Sequence, residues 1–394
     1  MEKATQNASV VSLAALLIGV CLLVFGTNLQ GVLLPIIGHE RGSGMTAIGL
    51  FSAGWSVGFV LACLCIGRLL STLGHVRAFA LLASLSAGCA LLLAALPGDR
   101  SWIVLRVVIG FCYGGLSAIV EGWLVEQAGS GIAFASYMIV NLLASLFGTL
   151  SLNLVNPLGR VPFALMAATV ALSVLPITLT RVPPPPVPPP FRPRLGRLIR
   201  GSPVGALGCL VVGLITGALG GLGPIFGMMS GLDMRDDTLM LAANSIGGAL
   251  AYVPIGLLAG RVDGHMLLQG LALLGLAICA PLILLPDLSP GSLILTVGLF
   301  GFAQYPLYGV CIGIARAQLP EQSGSQTVSE LLLLFGLGTI VGPVIGGQAM
   351  RSGPQHLFSF IVVALVVLVV AVTVDRLRIR HRTSSADYDT RAAQ

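Results

Sequence analysis

One otherwise apolar stretch of the chain holds both an arginine and a glutamate. It reads LRVVIGFCYGGLSAIVEGWLVE, and counting from Arg106, residues Gly110, Tyr113, Gly114, Ser117 and Glu121 fall at +4, +7, +8, +11 and +15. Those offsets lie on one stripe of an α-helix. Arg106 and Glu121 then sit about 22 Å apart along one polar face. A charge within an apolar span is costly and faces a protein interior or a wet cavity. Glu121 leaves two readings open: a transport or gating role, or a charge solvated near the cytoplasmic interface. Arg106 leaves two readings open: a lock on backbone carbonyls or neighbouring helix ends, or a group coupled to a proton or solute.

A second cluster is Gln304, Tyr305, Pro306 and Tyr308, with Gln304 and Tyr308 on one helical face and Pro306 able to hinge the helix. An amide and two phenols could hydrogen-bond or stack on a solute. Single polar or aromatic residues add Asn28, Trp55, Tyr113, Tyr137, Asn141 and Asn244 as candidate binding groups, with Gln30 a further polar residue beside Asn28. Each also serves as interhelical glue. Glu330 opens a later span on the same side as Glu121, and is either a counterpart across two halves or a solvated helix-end charge.

The elements that must position these groups follow from composition. Charged residues make up 9% of the chain and hydrophobic ones 56%, against about 25% charged in a soluble domain. This is an all-α integral membrane protein. Runs long enough to cross a bilayer predict twelve transmembrane helices near 10–37, 46–70, 77–96, 102–125, 131–156, 162–181, 203–230, 237–261, 265–286, 290–318, 326–350 and 354–377. The strand alternation of a β-barrel is missing from the sequence.

A break rich in proline and arginine, RVPPPPVPPPFRPRLGRLIR, falls near the midpoint. It divides the chain into an N-terminal six-helix bundle (1–181), an extended linker (182–202), a C-terminal six-helix bundle (203–378) and a tail (379–394). With both termini cytoplasmic, that side receives most of the lysine and arginine, about a threefold bias. The net charge of +6 is then topology, with no call for nucleic acid as partner. Linker arginines can touch anionic membrane lipid. Asp233, Asp236 and Asp237 are placed in a short outer loop.

No phosphate-binding loop or metal-ligand spacing is present, and the eight cysteines are scattered over apolar segments. No enzyme, cofactor or metal is expected. Six spans, a linker and six spans point to a monomeric secondary transporter whose site lies between two halves, driven by a proton gradient or the solute's own. Its expected place is the cell inner membrane, multi-pass.

These residues resemble the major facilitator superfamily over essentially the whole chain. Gly67, Arg68 and Gly74 are similar to the family's loop between its second and third helices, although Ser71 stands where that loop usually carries aspartate. The resemblance implies a gating role for them. The Arg106, Gly110, Gly114 pattern is similar to the family's fourth-helix motif, whose arginine is associated with proton coupling. Glu121, Tyr137-Met138, Gly301-Phe302, Tyr305-Pro306 and Gly342-Pro343 look like the YcaD-like subgroup, in the neighbourhood of copper and riboflavin importers. The methionine and histidine pairs of the copper importers do not converge here, which disfavours copper import. An aromatic or heterocyclic nutrient such as riboflavin is the leading expectation, with efflux of toxic compounds as the alternative. A non-transporting sensor or assembly factor is the rival outside transport.

Overall fold

In hydrocarbon every backbone N–H and C=O must be satisfied within the protein, so long apolar runs become helices. The computed structural model describes residues 2–127, 131–179, 193–285, 288–319 and 324–392. The first helices are α1 (Glu2–Glu40), α2 (Met45–Leu73), α3 (His75–Ala95), α4 (Asp99–Gln127) and α5 (Gly131–Leu150). Two short helices, α6 (Val161–Leu172) and α7 (Val174–Leu179), and the small α8 (Leu195–Gly201) follow. The remainder are α9 (Pro203–Met229), α10 (Met234–Ala259), α11 (Gly264–Leu284), α12 (Pro290–Gln318), α13 (Gly324–Ala349) and α14 (His356–Ala392).

Among the described residues ten helices, rather than the expected twelve, are long and apolar enough to cross a membrane. The fifth expected span corresponds to α5 and the sixth to α6 with α7, and within them lie the apolar segments Ile139–Asn153 and Val161–Pro176. The fifth ends in a tight turn at Ser151–Asn153. The sixth is interrupted at Ser173, whose hydroxyl donates to the Val170 carbonyl at 2.7 Å.

The linker corrects one expectation. Its proline run lies outside the described residues, but the part beyond Pro193 is helical, not extended. That part has no proline, and Leu198 is fully buried while Arg194, Arg197 and Arg200 stay exposed. The expected tail likewise continues α14 as far as Ala392.

Asp233, Asp263 and Ser289 cap α10, α11 and α12 by accepting the backbone N–H three residues on. The α2–α3 corner turns on Gly74, whose φ of +74° is left-handed backbone that suits only glycine.

Helices α1–α7 pack among themselves, and so do α9–α14. The pairing order repeats: α2 with α4 and α1 with α5 in the first set, α10 with α12 and α9 with α13 in the second. Glycines allow these crossings. A Cβ on Gly58 would strike the Val107 carbonyl, and one on Gly213 or Gly342 would strike carbonyls of Phe335 or Leu214.

The two sets meet where α2 lies against α13 and α9, α1 against α9, and α5 against α10. The individual contacts cluster at the end away from the chain termini. Gly49 abuts the Pro343 carbonyl, Gly221 abuts Ser52, and Gly347 abuts the Met45 carbonyl. Asn153 Nδ2 donates to Thr238 Oγ1 at 2.8 Å. The molecule is therefore sealed at its far end.

Candidate functional site

The helix-4 stripe forms as its periodicity requires, but its two charges meet different surroundings. Arg106 is buried. Its Nε donates to the Phe51 carbonyl of α2 at 3.0 Å, and its Nη1 donates to Gln30 Oε1 of α1 at 2.8 Å. The guanidinium thus ties three helices together near the sealed end. Gln30, read in the sequence as one polar residue among several, is its partner.

Glu121 lies near the other end of α4 and is exposed. Oε1 accepts the Tyr137 hydroxyl of α5 at 2.8 Å. Cys63 of α2, Tyr113 and Tyr137 are near enough to interact electrostatically with the carboxylate, and Asn141 lies beside Tyr137. An exposed carboxylate thus lies among groups from three helices, the kind of place where a charge in a membrane protein faces an interior or a wet recess.

Aromatic rings continue the recess. Trp55 stacks on Phe59 at 5.5 Å and meets Tyr113 at 5.4 Å. The Trp55 indole N–H has no hydrogen-bond partner among the described residues. From the second set, Tyr308 packs against Phe335 at 4.9 Å and lies close enough to Cys63 to interact across the join. Glu121, Tyr113, Tyr137, Asn141, Trp55 and Tyr308 are thus brought to one region.

Other candidates are spent on packing. Asn244 Nδ2 donates to the Val297 carbonyl at 3.0 Å, and Gln304 Nε2 to Thr216 Oγ1 at 3.1 Å. Asn28 donates to its own helix at Val24 and accepts the Ser145 hydroxyl at 2.8 Å. Tyr305 lies against Gly248 of α10.

Glu330 is fully buried, and its Oε1 accepts the backbone N–H of Arg194 at 2.8 Å. The structure brings it to the linker helix rather than to Glu121. Arg68 is exposed at the α2–α3 corner, with Gly67 half-buried beside it, and its carbonyl accepts the Ser71 hydroxyl at 2.8 Å.

The crossing geometry shows how the halves correspond. Gly110 sits under the Trp55 carbonyl, and Gly301 sits under the Asn244 carbonyl. Counting onward from those two glycines, Tyr113 matches Gln304, Ser117 matches Tyr308, and Glu121 matches Ile312. The charge belongs to one set alone.

Asp237 was placed in the sequence with a surface loop, and the structure corrects this. It is fully buried in the first turn of α10, because it shares the inward stripe of Met240, Asn244 and Gly248. Those offsets of three, seven and eleven residues are a signal readable in the sequence.

Comparison with known proteins bears on the family and the fold. The family model described as Major Facilitator Superfamily matches residues 16–288 and 231–391. An uncharacterized MFS-type transporter of Enterobacter sp. (strain 638) is 25% identical over 391 residues, covering 94% of this chain and 97% of the relative. The uncharacterized MFS-type transporter YcaD of Escherichia fergusonii is 25% identical, covering 89% of this chain and 92% of its own. Among solved structures, the nucleoside transporter NupG superposes with a TM-score of 0.74 at 13% identity, covering 93% and 98% of the two chains. A bacterial homologue of the human lysosomal transporter Spinster, inward-facing and occupied, gives 0.73 at 16% identity, covering 93% and 96%.

Proposed function

Because this chain belongs to the Major Facilitator Superfamily, within which it resembles the YcaD-type transporters, we propose that it imports a small organic solute through a central recess. It is a secondary transporter and a multi-pass membrane protein, and not an enzyme. The solute we favour is an aromatic or heterocyclic nutrient, riboflavin among the candidates. Two six-helix bundles, residues 1–181 and 203–378, would rock about the recess, with the linker and both termini in the cytoplasm of the cell that holds it in its inner membrane.

The observation that carries this reading is the exposed Glu121, held by Tyr137 and continued by the Trp55, Phe59 and Tyr113 rings. Rings of this kind stack on a planar solute. The carboxylate can hold a proton or pair with a positive group. With Arg106 bonded to Phe51 and Gln30, its guanidinium is committed to holding helices. Glu121 is then the coupling group of the fourth span. The sealed far end makes the present state one that opens toward the termini.

A thermal-shift screen of the purified protein against vitamins, nucleobases, sugars and amino acids tests the reading, because a ligand that binds only the folded state raises its stability. Proteoliposome uptake of whichever compound stabilises follows. A stabilising planar heterocycle with inward flux supports the proposal. Stabilisation only by sugars or metals, or flux only outward, overturns it.

A further inference from the structure

Asp237 is a carboxyl that the recess does not use. It is 0% exposed, and neither carboxylate oxygen has a hydrogen-bond partner among the described residues. Oδ1 presses against Gly227 of α9, at a point where any Cβ would displace it, and the Met240 methyl closes the same space. The next residue, Thr238, accepts the Asn153 amide at 2.8 Å, one of the bonds that seal the far end. The carboxyl is therefore enclosed between α9 and its own helix, one residue from a bond that joins the two helix sets.

We propose that Asp237 is a proton-binding site of the far side, holding a proton while the helix sets are closed there and releasing it as they part. A bare carboxylate without donors in an apolar pocket is much costlier than the neutral acid. Opening admits water and removes that cost. A metal cation is a poor alternative occupant, because hard cations require several oxygen ligands and no group of three or more His, Cys, Asp or Glu side chains that could hold one occurs among the described residues.

Its charged surroundings are few. Asp233, Arg235 and Asp236 lie on its own helix or cap. Residues 222–229 of α9, 145–150 of α5 with the Ser151–Asn153 turn, 281–284 of α11 and 290–297 of α12, on the elements packed against α10, contain no titratable side chain. His356, at the start of α14, contacts the Gly353 carbonyl at 3.3 Å. Asp233 is occupied in capping, accepting Asp236 N–H at 2.7 Å.

The inference rests on the alternating-access reading and can be tested apart from it. Fluorophores carried by non-canonical residues at Leu158 and Ser230 in the full chain, reconstituted in vesicles, report the far-end separation. In the wild type the pair should separate as external pH rises from about 5 to about 9. Asp237→Asn should stay closed throughout, losing the whole shift, while Asp236→Asn retains it. A shift that survives in Asp237→Asn, or no shift in the wild type, overturns the proposal. Should Asp237→Asn fail to fold, wild-type protein can be treated with a lipophilic carbodiimide, which modifies protonated buried carboxyls. Mass mapping should then find Asp237 modified at least tenfold less at high pH, and equal modification across pH counts against the site. A pH shift without solute flux would undo the transport reading alone, whereas flux with no shift at Asp237 would undo this one alone.

Discussion

The Tyr137 hydroxyl donates to Glu121 Oε1 at 2.8 Å, joining α5 to α4 beside the recess. The phenol holds the carboxylate in place without neutralising it, as a lysine or arginine would. Its counterpart position in the second set is Ile312, so the carboxyl group belongs to one set alone.

Glu121→Gln should therefore lower pH-gradient-driven uptake by about tenfold or more, while solute counterflow persists. Tyr137→Phe keeps the charge and loses the tether, so its loss should be smaller. Uptake into proteoliposomes with and without an imposed pH gradient reads both. Unchanged gradient dependence in Glu121→Gln would rule out the coupling role.

Arg106 predicts a different signature. Arg106→Ala leaves the Gln30 amide oxygen and the Phe51 carbonyl without their buried donor, and should cost about 3 kcal/mol. Thermal unfolding followed by tryptophan fluorescence would show it. Arg106→Lys should recover only part, because an ammonium cannot reproduce the guanidinium geometry. Full stability with transport abolished in Arg106→Lys would point to a direct role in transport instead.

The seal at the far end depends on glycines. Gly49→Val would drive its side chain into the Pro343 carbonyl, a strain of about 1–3 kcal/mol borne only by the closed state. The population should move toward far-end opening. A cysteine at Ser52, beside Gly221, should then react severalfold faster with a water-soluble maleimide, and an unchanged rate would mean the helices slide to absorb the side chain.

Glu330 should act as a tether. Its carboxylate caps the start of α8 by accepting the Arg194 N–H, so Glu330→Ala should loosen the linker helix. Trypsin cleavage at Arg194, Arg197 or Arg200 should rise by about tenfold, since local opening of a few residues controls such cuts. Intact-mass analysis of timed digests would measure it. Unchanged cutting would mean that Leu198 packing alone holds the helix.

Much of this architecture is written in local chemistry. The scarcity of charge, the apolar run lengths and the proline-arginine break dictate a membrane helical chain in two parts, because lipid tolerates only helices or closed barrels. Periodicity also places Arg106, Tyr113, Ser117 and Glu121 on one stripe, since the helix turn is a property of the backbone. What periodicity cannot say is which neighbour that stripe meets. Arg106 finding Gln30 and Phe51, Glu330 finding Arg194, and Asp237 turning from the loop into a sealed pocket all depend on contacts between residues far apart in the chain. Helix faces are local facts; the partners of those faces are set by how the helices pack, and only the tertiary structure decides that.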